Sequence, residues 1–352
     1  MKLTPTQHPS TRSGGGGPAE ATVADAHAAL REHGQHSSGF LALNTGNDYF
    51  AAEGLSGVIA YRPFGRGYWV QFSGPIASPD ACAPLEDAFH EAAARAGRRV
   101  LKVQLLRGDA ERIAADGYVV NQFGSSYSID LSQFGLIGGK FRKTRSMVAR
   151  SRKAGVTVSE VDRERSADPG FVAQLDAIDA AWLRDKGKHT KELRFLIGQR
   201  GGPMQEHRKL FVAELEGRLI AYFSFSPVYG RQHGWLADLE RRLPDTPPGV
   251  ADHLFSDAAK KMYREGAGWL HLGLTPFVGL EAEHEIANGR SRMVGLALNS
   301  IREYGGALYP ADSALSFKLK WRPHLVTPEY VAFPKRFRLR DAWCLARTTN
   351  AL

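Results

Sequence analysis

The chain has 352 residues, 43% of them hydrophobic and 24% charged, which excludes a wholly disordered protein, and no apolar run reaches the roughly 18 residues of a membrane-spanning helix. The 46 lysines and arginines outnumber 37 acidic residues, and the net charge of +9 favours an anionic partner such as a nucleic acid, a phospholipid surface or a phosphorylated small molecule. Two widely spaced cysteines, Cys82 and Cys344, exclude a disulfide scaffold and a structural zinc site and favour a reducing cytoplasm.

The first half of the chain begins with a tail and continues with alternating strand and helix patterns. Residues 1–22 are polar and glycine-rich, which predicts a flexible tail without a signal peptide. Apolar spacing and turn residues then predict, in chain order, a short helix near 24–30, strands at 57–62 and 68–72, a helix that opens at Ser78 and ends at Gly97, and strands at 100–106 and 127–131.

A basic segment, residues 138–154, follows and ends at Gly155. Good helix formers and a thin apolar stripe predict a helix that mostly faces solvent or a ligand. It contains no acidic residue, and its seven cations form a candidate anion-binding surface: Lys140, Arg142, Lys143, Arg145, Arg150, Arg152 and Lys153. A second basic patch, from Lys318 to Arg347, has eight cations against two acids. For both patches, simple solubility is the alternative reading.

The second half repeats the element order of the first. The pattern predicts a helix at 169–184, a hairpin of strands 210–215 and 219–225, a strand at 233–239, a helix at 248–264 and a strand at 269–274. Ile-Ala-Tyr occurs at 59–61 and again at 220–222 in the same place of this order. We therefore predict two similar α/β domains, at 23–136 and 157–352, joined by a basic connecting helix at 137–156.

The loop at 244–252 joins a predicted strand to a predicted helix. This arrangement is typical of GNAT acetyltransferases, which hold the coenzyme A pyrophosphate on the helix N-terminus. Here the loop offers one glycine, three prolines that have no N–H to donate, and the acids Asp245 and Asp252, which would repel pyrophosphate. In the alternative reading, Asp245 or Thr246 caps the helix and Asp252 complements its dipole.

Short motifs follow one another along residues 30–340: Ser-Ser-Gly-Phe-Leu-Ala-Leu at 37–43, Ile-Asp-Leu-Ser-Gln-Phe at 129–134, Gly-Lys-Phe-Arg-Lys-Thr-Arg at 139–145, Phe-Leu-Ile-Gly at 195–198, Asp-Leu-Glu-Arg at 238–241, Leu-Gly-Leu-Thr-Pro at 272–276 and Phe-Lys-Leu-Lys-Trp-Arg-Pro at 317–323. In order and spacing they resemble the soluble catalytic domain of the aminoacyl-phosphatidylglycerol synthases, the multiple peptide resistance factor family. That domain is related to the Fem peptidyltransferases.

The resemblance implies an α/β fold with mixed sheets, in which the basic helix joins two tandem GNAT-like domains. It implies an aminoacyltransferase that uses aminoacyl-tRNA as donor, with no other cofactor, and whose basic helix binds the tRNA. Asp238 would be the acid/base or substrate-orienting carboxylate, Arg241 would hold a phosphate, and Glu192 would contact the α-ammonium group or shuttle protons. Lys318 or Lys320 would stabilise the tetrahedral oxyanion, and in a strand these two lysines would point to opposite faces.

Several alternatives stay open at this stage. The acceptor is a small hydroxyl or amino metabolite or a phosphatidylglycerol-type head group, and the second would place the protein at the inner membrane surface. An acyl-coenzyme A-dependent N-acyltransferase on the same fold is one competing function. A non-catalytic protein that binds RNA or a membrane surface is another. Asp238 and Arg241, three residues apart, could also form a structural ion pair.

Overall fold

The computed structural model describes residues 19–185, 194–287, 289–292, 294–296 and 311–350. These residues form an α/β fold around one mixed sheet of 13 strands, as the sequence predicts. Among the described helices, none combines the length and the apolar character needed to cross a membrane.

The first half, residues 19–130, contains every strand and helix predicted for it. Its elements are β1 (Ala19–Ala21), α1 (Val23–His33), β2 (Asp48–Ala51), β3 (Gly57–Phe64), β4 (Tyr68–Phe72), β5 (Ile76–Ala77), α2 (Cys82–Arg95), β6 (Arg99–Leu105), α3 (Arg107–Ala115) and β7 (Val119–Asp130). The strand β1 lies within the predicted tail and pairs with β2. Helix α2 buries the predicted stripe of Leu85, Phe89 and Ala92, and Gly97 follows it at a φ of +64°.

The basic helix α4 (Arg142–Lys153) leads into the second half, residues 157–350. The elements there are β8 (Thr157–Glu160), α5 (Arg163–Ala167), α6 (Pro169–Asp185), β9 (Lys209–Leu215), β10 (Arg218–Val228), β11 (Gly234–Arg242), α7 (Val250–Arg264), β12 (Trp269–Pro276), α8 (Ala311–Leu319), β13 (Leu325–Phe333) and α9 (Leu339–Thr348). Helix α7 buries Val250, Leu254, Phe255, Ala258 and Met262 against the sheet, the stripe that its spacing predicts.

The strand order shows that the two halves share one scaffold. It runs β1-β2-β3-β4-β6-β13-β7-β12-β11-β10-β9-β8, with β5 beside β3. In the first half, the meander β2-β3-β4 is followed by α2 and by β6, which is parallel to β4. In the second, the meander β9-β10-β11 is followed by α7 and by β12, parallel to β11.

The last strand of each half crosses to the other half. Strand β7 of the first half pairs with β12, and β13 of the second half pairs with β6, while β7 and β13 pair with each other at the centre. One core cluster accordingly combines Phe40 and Phe72 of the first half with Leu236 and Val331 of the second. The division at 136 and 157 remains a prediction, and the sheet is continuous across it.

The structure decides two points that the sequence left conditional. The segment 317–323 is not a strand, because α8 extends to Leu319 and a turn follows, so the strand argument for opposite faces of Lys318 and Lys320 does not apply. Helix α7 is capped by neither Asp245 nor Thr246, because its N-cap is Gly249, at a φ of +88° and with no side-chain cap. Gly249 is needed there because a Cβ atom would overlap the backbone carbonyl of Met147 in α4. Helix α4 therefore packs directly against the N-terminus of α7.

Candidate active site

Strands β11 and β12 part in the middle of the sheet. Their parallel pairing covers three residue pairs and stops at Leu236 and His271, although both strands continue beyond these residues. The parting leaves backbone groups of both strands without a ladder partner, and we call the gap the strand opening. Asp238 lies two residues beyond the last paired residue of β11, and Gly273 lies two beyond that of β12. Two of the predicted motifs, at 238–241 and at 272–276, therefore lie along the two sides of the strand opening.

A β-bulge determines where Asp238 points. Phe225 of β10 pairs with Ala237, and Ser224 pairs with Leu239, so Asp238 is the extra residue. Residues three apart on a regular strand lie on opposite faces. The bulge instead places Asp238 and Arg241 on the same face of β11, the face that α6 covers.

The Asp238 carboxylate is fully buried and holds a buried cation. Arg208 Nη1 donates to Asp238 Oδ2 at 2.7 Å, and the Ser226 hydroxyl donates to the same oxygen. Burial raises the pKa of Asp238 above its usual range, and Arg208 opposes the shift. Among the described residues, no group donates a hydrogen bond to Asp238 Oδ1. A buried acceptor with this vacancy is suited to a ligand N–H or O–H group.

The neighbouring motifs hold this ion pair in place. Arg208 Nη2 donates to Asn44 Oδ1 at 3.1 Å, and the guanidinium lies 5.1 Å from the Phe40 ring centre, both in the segment after His36. Gly198 donates its backbone N–H to the Asp238 carbonyl at 3.0 Å. Any Cβ atom at Gly198 would overlap the Asp238 carboxylate, so the motif at 195–198 requires glycine at its last position.

Arg241 belongs to a different set of contacts. Its guanidinium lies 4.0 Å from the centre of the Trp182 ring, and its Nε is 3.9 Å from Asp179 Oδ1 on α6. Tyr222, which pairs with Arg241 in register, donates its hydroxyl hydrogen to the same Asp179 carboxylate. The ion pair of Asp238 is therefore with Arg208 and not with Arg241, which removes the structural ion pair that their spacing allowed.

Lys318 reaches the strand opening from α8. Its Nζ donates to the carbonyl oxygens of Gly273 at 2.7 Å and Leu274 at 2.9 Å. Gly273 has a φ of +69° beside a register shift in β12, and this lets two consecutive carbonyls face one ammonium group. Burial lowers the pKa of Lys318 to about 7, and Glu329 opposes the shift.

Lys320 lies elsewhere. It follows the end of α8 and forms an ion pair with Asp252, in the first turn of α7. Its ammonium group also lies 4.3 Å from the centre of the Phe317 ring. The structure thus places Lys318 at the strand opening and Lys320 beside α7.

Sequence reasoning missed Glu329 and His36, two buried side chains that lie close to each other. Glu329 of β13 is fully buried, accepts a hydrogen bond from the Ser126 hydroxyl and lies 3.8 Å from His36 Nε2. Burial raises the pKa of Glu329 to about 7, and Ser126 and Lys318 oppose the shift. A glutamate followed by Tyr-Val-Ala-Phe was the available signal, because a charged residue inside an apolar strand needs a partner.

The remaining predicted residues are spread over the molecule. Glu192 lies outside the described residues. The seven cations of the basic segment are exposed on α4 and the turn before it, whereas Thr144, Val148 and Ser151 face inward. Arg145 donates to the carbonyl oxygens of Leu136 and Gly138, both at 2.7 Å, and Arg152 forms a 2.8 Å ion pair with Asp257.

Known proteins share this sequence pattern and fold. Residues 27–333 match the family model described as phosphatidylglycerol lysyltransferase, C-terminal. A lysylphosphatidylglycerol biosynthesis bifunctional protein LysX from Mycobacterium sp. (strain JLS) is 26% identical over 262 residues, which are 68% of this chain and 23% of that protein. The chain thus spans under a quarter of the length of that curated relative.

Two solved structures show the same fold. L-PGS from Bacillus licheniformis superposes with a TM-score of 0.74 at 21% identity, covering 94% of this chain and 98% of that one. The crystal structure of FemX superposes with a TM-score of 0.54 at 12% identity, covering 94% and 99%. The family-model match over residues 27–333 confirms the family that the short motifs indicate, and the two solved structures share its fold.

Proposed function

The chain belongs to the phosphatidylglycerol lysyltransferase C-terminal family, a family of aminoacyltransferases, and we propose that it transfers an aminoacyl group from an aminoacyl-tRNA to a hydroxyl or amino acceptor. The observation that carries the proposal is the strand opening, which Asp238 and Lys318 border from its two sides. The acceptor is either a phosphatidylglycerol-type head group or a small metabolite, and both present the same nucleophilic chemistry.

The reaction exchanges one acyl linkage for another. The acceptor oxygen or nitrogen attacks the ester carbonyl of the aminoacyl group, and a tetrahedral oxyanion forms. The bond to the ribose oxygen of the tRNA then breaks, and the proton lost by the acceptor ends on that oxygen. A cation aimed at the oxyanion and a carboxylate that accepts or orients a proton are the groups this step requires.

Lys318 and Asp238 are suited to these two roles. In its charged form Lys318 directs one N–H to each of two carbonyls, which leaves a third for the oxyanion. Asp238 Oδ1 is positioned to accept a hydrogen from the α-ammonium group or the acceptor. Arg241 and Glu192 remain predicted contacts for a phosphate and the α-ammonium group.

The donor is aminoacyl-tRNA rather than acyl-coenzyme A in this proposal. Acids and prolines occupy the loop before α7, and the backbone of α4 packs against Gly249 where a pyrophosphate would have to approach. The exposed cations of α4 instead offer phosphate contacts to a nucleic acid.

The test is a single-turnover assay with tRNA charged with each amino acid in turn. One arm supplies phosphatidylglycerol in mixed micelles and the other supplies water-soluble hydroxyl and amino acceptors. We expect loss of the tRNA ester with formation of an acylated acceptor in one arm. Absence of transfer in every arm, together with a micromolar dissociation constant for acetyl-coenzyme A by calorimetry, would replace the proposal with the acyl-coenzyme A reaction.

A further inference from the structure

The C-terminal helix α9 presents an unusual outer surface. Arg99 anchors α9 and the segment that leads into it. Its guanidinium donates to the carbonyl oxygens of Pro334 and Arg336, which precede the helix, and to both carboxylate oxygens of Asp341 in its first turn. Asp341 is fully buried and also accepts from the Tyr68 hydroxyl at 3.1 Å. These contacts fix α9 against the first half of the molecule.

Two large apolar side chains are exposed on this helix. Leu339 is 85% exposed and Trp343 is 47% exposed, and they are one helical turn apart. The Trp343 ring packs edge-on against Phe64, with ring centres 5.4 Å apart, and this fixes its orientation. Neighbouring exposed apolar side chains, unlike scattered single ones, are a feature of contact surfaces.

Exposed cations lie next to the apolar pair in the sequence. Arg336, Arg338 and Arg340 are exposed, whereas the one acidic residue between Pro334 and Asn350 is the buried Asp341. We call Leu339, Trp343 and these three arginines the α9 surface. It combines positive charge with apolar side chains and contains no exposed acid.

We propose that the α9 surface docks on an anionic phospholipid bilayer. Its arginines would meet the lipid phosphates, while Leu339 and Trp343 would enter the boundary between head groups and acyl chains. The exposed aliphatic side chain of Leu339 favours lipid over nucleic acid, because a nucleic acid backbone offers it no apolar contact. The surface lies beyond residue 333, where the match to the family model ends.

Flotation of the whole chain with lipid vesicles tests the proposal. We expect binding to vesicles of phosphatidylcholine and phosphatidylglycerol in equal parts, and little binding to phosphatidylcholine alone. Each cation near an anionic surface strengthens partition roughly fivefold, so R336Q/R338Q/R340Q should weaken it about 100-fold. Leu339→Ser should weaken binding in a way that added salt does not reproduce. Because these side chains are exposed, the melting temperature should stay unchanged.

A triple variant of α4, R142Q/K143Q/R150Q, is the matched control, because it removes the same charge from another surface. It should keep vesicle binding. Equal losses in both triple variants would mean that only net charge matters and would overturn the proposal. So would an α9 variant that keeps vesicle binding but loses tRNA binding, since the surface would then serve nucleic acid. No readout depends on turnover, so these outcomes are independent of the transfer reaction.

Discussion

The two halves of the molecule use the same strand arrangement in different ways. In the first half, β4 and β6 pair over five residues, from Tyr68 to Phe72, and the N–H of Ser73 still donates to the Val103 carbonyl beyond them. In the second half, the equivalent strands β11 and β12 pair over three residues and then part. One parallel pair is closed and the other is open.

The buried charged side chains of the two halves also differ in how completely they are paired. In the first half, the Lys102 ammonium is bonded to Glu86 and Gln71, and Glu86 also accepts from Arg112, so charge is balanced by charge. Among the described residues of the second half, Lys318 is bonded only to backbone carbonyls, and one oxygen each of Asp238 and Glu329 has no donor. The charged groups around Lys102 have their hydrogen-bond partners within the protein, as is typical of a structural core. The groups around Lys318 and Asp238 keep hydrogen-bonding positions that a ligand can use.

The largest expected effect is at Lys318. Lys318→Met removes the cation at the strand opening, and we expect the single-turnover transfer rate to fall about 100- to 1000-fold. Lys102→Met in the first half should instead lower the free energy of unfolding by about 3–5 kcal/mol and leave the rate per folded molecule unchanged. Lys320→Met is the second control and should keep the rate. A Lys318→Met enzyme that transfers normally would break the comparison between open and closed clusters.

Asp238→Asn and Glu86→Gln form the next pair. Each leaves a buried cation without its charge partner, so both should lower the free energy of unfolding by about 3–5 kcal/mol. Only Asp238→Asn should also reduce transfer per folded molecule, by about 100-fold. Denaturant unfolding beside single-turnover kinetics separates the two effects. Equal rates per folded molecule in the two variants would assign Asp238 a purely structural role.

A smaller effect concerns pH. The pKa of Lys318 is lowered to about 7, so its ammonium form decreases above that pH and transfer should fall, approaching tenfold per pH unit. Between pH 7 and the ordinary lysine pKa of 10.5, Lys318 binds fewer protons in the folded state than in the unfolded chain. Its contribution to the free energy of unfolding therefore rises with pH over the same range in which the transfer rate falls. Glu329→Gln removes a charge that raises the pKa of Lys318, and should shift the fall to lower pH. Glu86→Gln should not move it.

The smallest expected effect concerns the surface cations of α4 and is measured on tRNA binding. Neutralising Arg142, Lys143 and Arg150 on α4 should flatten the salt dependence of tRNA binding by about two to three charges. Arg145 is left intact because it holds the turn before α4. The control replaces Arg95 and Arg107 of the first half, which pair with glutamates on their own helices. An unchanged salt slope in the α4 variant would make this helix an ordinary solvated surface.

Local patterns were enough to predict most of the fold. The stripe of α7, the hairpin β9-β10 and the glycine that ends α2 all depend on neighbours within one or two turns, which the sequence shows directly. The repeated element order predicted two similar units. Strand β13 was not predicted, because Pro328 and Glu329 interrupt its apolar pattern and because its partners β6 and β7 lie far from it in the chain.

The motifs also identified Asp238 and Lys318 as candidates, but not their surroundings. Arg208 precedes Asp238 by 30 residues, and Ser126 precedes Glu329 by 203. The bulge at Asp238, the parting of β11 and β12, and the choice of Lys318 over Lys320 all arise from packing between distant segments. The sequence by itself determined which residue types were available and how each element is patterned. Only the tertiary structure decided which buried charges meet, because periodicity extends over a few residues whereas ion pairs and strand pairing join positions far apart in the chain.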